Sequence, residues 1–321
     1  LAAPTLLERT IDVTTQQPRL SYRPALPTRV ALSLRPLLWI GPAIALIAVV
    51  VLWPVVVLVK ASFQNIAVDG FVEPGTTTSN YSTLWHEPAL AGVVFRTCIW
   101  VVVVVGVTLA LSLALAQLFN QRFPFRRAAR TALIAPWAAS VMMTALIFRW
   151  ALDPYSGAVN VILHALGFVK LGSNRADWLG TPGWALFWMM VVAIFVSLPF
   201  TTYALLSGLQ TIPDEVYEAS RVDGAGTWRT YRSITLPLLR PAILVATTIN
   251  VINVFNSFPI IWEMTRGGPG YETSTTTTFM FILKQSFIGE SAAMSVMNFL
   301  LVILVVLFFL RATRWKEAVT E

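Results

Sequence analysis

The sequence predicts an all-α, polytopic membrane protein with six transmembrane helices, on three observations. Of its 321 residues, 56% are hydrophobic and 12% charged, and a soluble chain carries roughly twice that charged share. Six apolar stretches reach the roughly 20 residues that a helix needs to cross a hydrocarbon core of about 30 Å. Lysine and arginine are unevenly shared among the segments that join those stretches.

The predicted spans are 37–59, 97–119, 131–151, 184–209, 241–262 and 291–310. Their interiors carry no charge apart from Arg149 near one end, in keeping with a cost of about 2.5–3.5 kcal/mol for a charge at mid-span. Pro54 and Pro199 interrupt apolar runs; prolines are tolerated in spans where neighbours or water satisfy the freed carbonyls.

Orientation follows from the basic residues. One side holds Arg9, Arg19, Arg23, Arg29, Arg35, Arg122, Arg126, Arg127, Arg130, Arg221, Arg229, Arg232, Arg240, Arg311, Arg314 and Lys316. The loops of the other side hold Lys170, Arg175, Arg266 and Lys284. Sixteen against four assigns the first side, and with it both termini, to the cytoplasm. Trp39, Trp53, Trp100, Trp150, Trp184 and Trp262 lie towards span ends, where interfacial anchors belong. The expected organisation is a Pro- and Arg-rich cytoplasmic tail over 1–35, a membrane domain over 36–315 and a short cytoplasmic tail over 316–321. No early apolar core precedes a small-residue cleavage site, so no removable leader is expected.

Several chemistries lack their residues. None of the four lysines, Lys60, Lys170, Lys284 and Lys316, follows a glycine, so there is no phosphate-binding G-x-x-x-x-G-K-S/T loop. His86 and Glu87 are followed by Leu90 where a zinc motif needs a second histidine. Gly289-Glu290-Ser291 resembles a membrane serine protease only loosely, and both His86 and His164 fall in outside loops. The single cysteine, Cys98, allows no internal disulfide and no cysteine-based metal site. The net charge of +7 is accounted for by membrane topology rather than by nucleic acid. The expectation is a chain without enzymatic activity, metal or bound cofactor. No segment between spans exceeds about 35 residues, too few for an independent soluble core, so energy comes from another polypeptide or an ion gradient.

The segment 211–241 carries the most specific signal. Thr211 and Asp214 have the spacing of a capping box, and Pro213 suits a first helical turn. Gly224 and Gly226 release the chain into a turn, and Thr227 is placed to cap a second short helix ending before Pro237. The product is a helix–turn–helix between two spans. It is either an amphipathic surface helix that caps the bundle or a docking knob for a cytoplasmic partner.

The run Glu218-Ala219-Ser220-Arg221-Val222-Asp223-Gly224-Ala225, followed by Ile234-Thr235-Leu236-Pro237 and Pro241, resembles the EAA loop of type I ABC importer permeases. It departs once, with Ser220 for the second alanine. The resemblance implies that Tyr217, Glu218, Ala219, Ser220, Val222, Asp223 and Gly224 form the coupling helix that sits in a groove of an ATP-hydrolysing subunit. ATP and magnesium would then be bound by that partner, and its closure would rock the spans between two states. A second run, Thr265-Arg266-Gly267-Gly268-Pro269 with Thr273 to Thr278, is similar to a segment of carbohydrate permeases of the maltose and glycerol-phosphate type. Ser156-Gly157-Ala158-Val159-Asn160, with Leu163 and Gly167, resembles the outer loop of that subfamily. The partners implied are a second related permease, two copies of the ATPase and an extracellular solute-binding lipoprotein.

In the fifth span, spacings of three, four and seven place Asn250, Asn253 and Ser257 on one helical face, with Asn256 near its edge. Polar side chains this deep face the bundle interior or a wet cavity, where they bond either neighbouring helices or the hydroxyls of a sugar. The maltose-type resemblance assigns the substrate path to Ser197, Phe200, Asn250, Asn253, Val254 and Ser257, with departures at Phe200 and Val254. The reading as a whole is an inner-membrane permease subunit for a sugar or sugar derivative. Its rivals are a permease for another solute and a membrane enzyme.

Overall fold

A computed structural model describes residues 35–67 and 69–317. Among them the only β pairing is an isolated antiparallel bridge between Ile66 and Val72. The expected N-terminal tail lies outside the described residues except for Arg35, as do residues 318–321.

The chain divides into two units, Leu1–Trp53 and Pro54–Glu321. The first contributes α1 (Arg35–Ile47) and a π-helical turn, Ala48–Leu52. Its side chains from Leu46 to Leu52 are largely exposed; exposed valine and leucine of this density suit lipid, not water.

The second unit carries nearly all of α2 (Trp53–Ser62), then α3 (Ser79–His86), α4 (Pro88–Asn120), α5 (Arg126–Ala138), α6 (Val141–Ala151) and α7 (Ala158–Ala165). It continues with α8 (Pro182–Leu209), α9 (Asp214–Val222), α10 (Thr227–Thr230), α11 (Leu236–Phe255), α12 (Phe258–Thr265), α13 (Thr276–Leu283) and α14 (Ile288–Glu317). Among the described residues five stretches are long and apolar enough to cross a membrane: Trp39–Ser62, Pro88–Asn120, Pro182–Leu209, Thr227–Thr265 and Ile288–Phe308. The sixth expected span, 131–151, is instead two helices, α5 and α6, parted at Ala139 and Ser140.

Three packed clusters join these helices. Trp100, Met189, Val192, Val254 and Ile261 tie α4, α8, α11 and α12 together. Phe119, Leu205, Leu209, Ile212 and Leu239 fill the opposite end of α4, α8 and α11, where Phe123, Val216 and Tyr217 also pack. Leu84, Val93, Phe279 and Met294 join α3, α4, α13 and α14. In lipid such packing rests on close contact and hydrogen bonds rather than on exclusion of water.

One expected anchor is reassigned. Trp100 is 0% exposed, and its Nε1–H donates to the Val254 carbonyl at 3.0 Å and to Ser257 Oγ at 2.9 Å. It faces α11, because a residue three positions into the predicted span here lies more than three turns inside a 33-residue helix that starts at Pro88.

The two motifs that resemble carbohydrate permeases, 156–160 and 265–269, are knots of internal bonds. Asn160 is fully buried; its Nδ2 donates to the carbonyls of Asp153 and Ala176, both at 2.9 Å, and its Oδ1 accepts from Trp178 Nε1 at 2.9 Å. After α12, Arg266 and Gly267 turn with positive φ, and the Gly268–Pro269 peptide is cis. Thr273 Oγ1 bonds the Gly268 carbonyl and Thr265 Oγ1, both at 2.8 Å, and the Thr276 amide donates to Thr97 Oγ1 of α4 at 2.9 Å. Gly267 stands at φ +84°, and a Cβ there would run into Ser274 Oγ, so both geometry and space require glycine.

Candidate functional site

Two helix breaks frame one cavity. Pro259 has no N–H and its ring crowds the carbonyl four residues back, so α11 stops at Phe255. Asn256 and Ser257 leave the helix, and α12 restarts with Pro259 in its first turn, where a missing N–H is harmless. The freed groups find side chains. The Val254 carbonyl accepts Ser257 Oγ–H at 2.6 Å as well as the Trp100 indole, and the Ile252 carbonyl accepts Asn256 Nδ2 at 3.0 Å. The second break is the one between α5 and α6. Ser140 caps α6 there, its Oγ accepting the Met143 amide at 3.2 Å. Irregular backbone at membrane depth is tolerated where it is buried in protein or lines a cavity, and both breaks line the same one.

That cavity has a volume of about 440 Å³. From α8 it takes Ala193, Val196, Ser197, Phe200 and Thr201, spaced as one helical face. From α11 and the break it takes Asn250, Asn253, Val254, Asn256 and Ser257, and Trp137 and Val141 stand on either side of the other break. All six residues that the sequence assigned to a substrate path therefore meet in one place. Their roles differ. The Ser257 hydroxyl is engaged by Trp100 and Val254, and the Ser197 carbonyl by Thr201 Oγ1 at 2.9 Å. Asn250 is 2% exposed and its Nδ2 has no partner; a buried amide donor left unpaired costs about 1–3 kcal/mol, and this one stands on the cavity wall. Asn253 and Asn256 are exposed, and Asn256, placed by its spacing at the edge, lines the cavity fully.

Trp137 was missed. It is 60% exposed beside the cavity, across from the Phe200 wall. The available signal was a tryptophan following Pro136 in the middle of an expected span, away from both ends where interfacial tryptophans sit.

The second candidate site is α9. It starts at Asp214 with Pro213 as N-cap and no side-chain cap. The expected capping box is absent: Thr211 Oγ1 donates back to the Gly208 carbonyl at 2.8 Å instead. Its far end closes as a Schellman turn. The Ala225 amide donates to the Ser220 carbonyl at 2.9 Å and the Gly224 amide to the Arg221 carbonyl at 3.1 Å. Gly224 has φ +70°, the left-handed geometry that this turn requires of its penultimate residue.

The seven residues assigned to this helix divide between two faces. Tyr217 and Ser220 point inward. Ser220 Oγ donates to the Tyr217 carbonyl at 2.9 Å and accepts Thr230 Oγ1 at 3.5 Å, and Thr235 Oγ1 reaches the Tyr217 hydroxyl at 3.5 Å. The hydroxyl that replaces an alanine methyl thus fastens α9 to α10. Glu218, Ala219, Val222, Asp223 and Gly224 are exposed, Val222 to 89%, and Trp228 joins them. The second short helix differs from expectation. Gly226, not Thr227, is its N-cap, and it does not end before Pro237. A π-helical turn, Tyr231–Thr235, carries α10 directly into α11; its wider winding leaves room for a ring at Pro237 in the first turn beyond.

Known proteins match this architecture. Residues 106–318 match the family model of the binding-protein-dependent transport system inner membrane component. The chain is 38% identical over 269 residues to a probable ABC transporter permease protein of Brucella suis, covering 83% of this chain and 92% of that one. It is 34% identical over 270 residues to the sulfoquinovosyl glycerol transport system permease protein of Agrobacterium fabrum, covering 83% and 85%. In fold it matches a chain of the crystal structure of a bacterial ABC transporter involved in alginate import, with a TM-score of 0.76 at 21% identity over 88% of this chain and 96% of that one. With five apolar spans, a walled cavity and a family model spanning most of its length, this chain belongs to the inner-membrane components of binding-protein-dependent transport systems.

Proposed function

We propose that this chain is one permease half of an ATP-driven importer, and that it moves a sugar or sugar derivative across the bacterial inner membrane. The observation that carries the reading is the composition of the cavity. Two aromatic side chains, Trp137 and Phe200, stand with the free amide of Asn250, and no lining residue is acidic, basic or histidine. An amino acid, phosphate or polyamine bound there would lose its hydration without meeting a counter-charge, which is costly. A sugar offers apolar C–H faces to the rings and hydroxyls that both donate to and accept from amides. The kinship with a permease named for sulfoquinovosyl glycerol supports the same class.

In this reading the exposed face of α9 docks on an ABC ATPase, present in two copies, which binds ATP and magnesium. A second homologous permease completes the path, and an extracellular solute-binding lipoprotein delivers the cargo. The excess of arginine on the loop side supports a cytoplasmic placement of the 211–241 segment and of both tails, 1–35 and 316–321, around a 36–315 permease domain. Closure of the ATPases shifts an alternating-access equilibrium.

The test is uptake of a labelled carbohydrate panel by cells lacking the chain and by cells given it back. Restored uptake of one sugar, with KM raised about tenfold by Asn250→Ala or Trp137→Ala, is the expected result. Restored uptake of a solute that is not a carbohydrate or carbohydrate derivative instead would overturn the sugar reading.

A further inference from the structure

At the end of the bundle that carries α9, the α4–α5 connection and the first turns of α5 frame an open pocket of about 700 Å³ lined by Arg122, Phe123, Phe125, Arg126, Arg127 and Arg130. Phe123 packs on the same cluster as Leu209, Ile212 and Val216, which fixes the pocket to that end. Arg130 is pinned: its Nη2 donates to the Phe119 carbonyl at 2.7 Å, and its own carbonyl accepts the Tyr203 hydroxyl at 2.9 Å. Its Nε is buried without a partner. The sequence contains no Asp or Glu between Glu87 and Asp153, and none of the four guanidiniums is paired with a carboxylate among the described residues.

Repulsion among four unpaired guanidiniums is relieved by an anion, and the planar fork of arginine grips phosphate through two parallel bonds. The rim argues for which anion. Phe125 is among the most exposed side chains of the unit, held at φ +64°, and Leu118 and Ile134, on the two helices that the segment joins, are also exposed. Ile134 lies seven residues beyond Arg127, on the same helical face. A soluble phosphate has no use for an apolar rim, whereas a lipid presents a phosphate with acyl chains attached. We propose that this pocket binds the headgroup of an anionic phospholipid, in the leaflet on the α9 side, with its chains along Leu118 and Ile134.

The test is native mass spectrometry of the full-length chain in detergent, titrated with phosphatidylglycerol and, separately, with phosphatidylcholine. Wild type should retain phosphatidylglycerol in preference. The variant Arg122→Gln/Arg126→Gln/Arg127→Gln, with Arg130 left in its structural role, should bind it about tenfold more weakly with phosphatidylcholine unaffected. The variant Arg229→Gln/Arg232→Gln/Arg240→Gln removes the same charge from exposed positions of the α10–α11 segment and should bind as wild type does. Equal weakening by both triplets would reduce the effect to diffuse charge and overturn the pocket. Displacement of the lipid by millimolar inorganic phosphate would make it a soluble-anion site. No preference in wild type would also end the proposal. Should the first triplet unfold, as judged by its thermal midpoint, the single variants Arg126→Gln and Arg127→Gln replace it in the same comparison.

Discussion

The knot around Asn160 and the loop helix α9 are built from similarly polar sequence, yet they treat their polar groups in opposite ways. Around Asn160 each amide atom is bonded and the side chain is sealed from solvent. On α9 Val216, Tyr217 and Ser220 hold the helix down, while Glu218, Val222 and Asp223 face outward with an apolar side chain among them. Groups already bonded internally maintain a shape. Groups left unbonded on a helix that is itself well anchored remain free for another protein. The contrast separates architecture from recognition without reference to any relative.

The comparison breaks most readily at the knot. Asn160→Ala removes the donor to the Asp153 and Ala176 carbonyls and the acceptor of the Trp178 indole N–H and should cost about 3 kcal/mol; thermal unfolding in detergent measures it, and a midpoint unchanged from wild type would remove Asn160 from the architecture. Gly267→Val should cost about 2 kcal/mol, because the valine must adopt positive φ and displace Ser274. The exposed face of α9 should respond the other way. Glu218→Ala and Val222→Asp are expected within about 0.5 kcal/mol of wild type in stability, with uptake reduced about tenfold, a change of about 1.4 kcal/mol. Uptake equal to wild type would show that the exposed face of α9 receives no partner.

The smallest effect is one of pH. The Asp153 carboxylate accepts the amides of Tyr155 and Ser156 and the Ser156 hydroxyl, and the backbone bond from Ser156, foremost, holds it below its ordinary value of 3.8. A depressed carboxylate stabilises above its unfolded value and loses that contribution as pH falls through the folded one. The thermal midpoint of wild type should therefore drop on acidification below 3.8. Asp153→Asn, uncharged throughout, should show a shallower acid slope; identical slopes would mean that the turn ignores its charge.

Much of this was legible in the sequence, and the exceptions share a cause. Hydropathy reports where apolar side chains accumulate, so five long spans and the membrane class were visible. Periodicity reports which residues share a face, so it grouped Asn250, Asn253 and Ser257; Ser197, Phe200 and Val254 came from the family resemblance, and all six line one cavity. Neither signal reports whether the backbone stays helical. The break at Asn256 depends on Pro259 together with a tryptophan 154 residues away that takes up the Val254 carbonyl. The parting of α5 from α6 likewise escaped, and Trp137 with it. Continuity was misjudged in the other direction at Pro237, where a π-helical turn keeps a helix whole that the proline had seemed to end.

That turn has a mechanical consequence. From Thr227 to Phe255 the backbone is helical without interruption, a rod of about 40 Å at 1.5 Å per residue. One end carries Trp228 beside α9, and the other stops at the break that holds Asn253 and Asn256 over the cavity. A rod of this kind is stiff along its axis and compliant at two joints, the over-wide turn near its base and the unwound pair at its tip. A tilt imposed at the base arrives at the tip as displacement of the two asparagines, with no intervening loop to absorb the stroke.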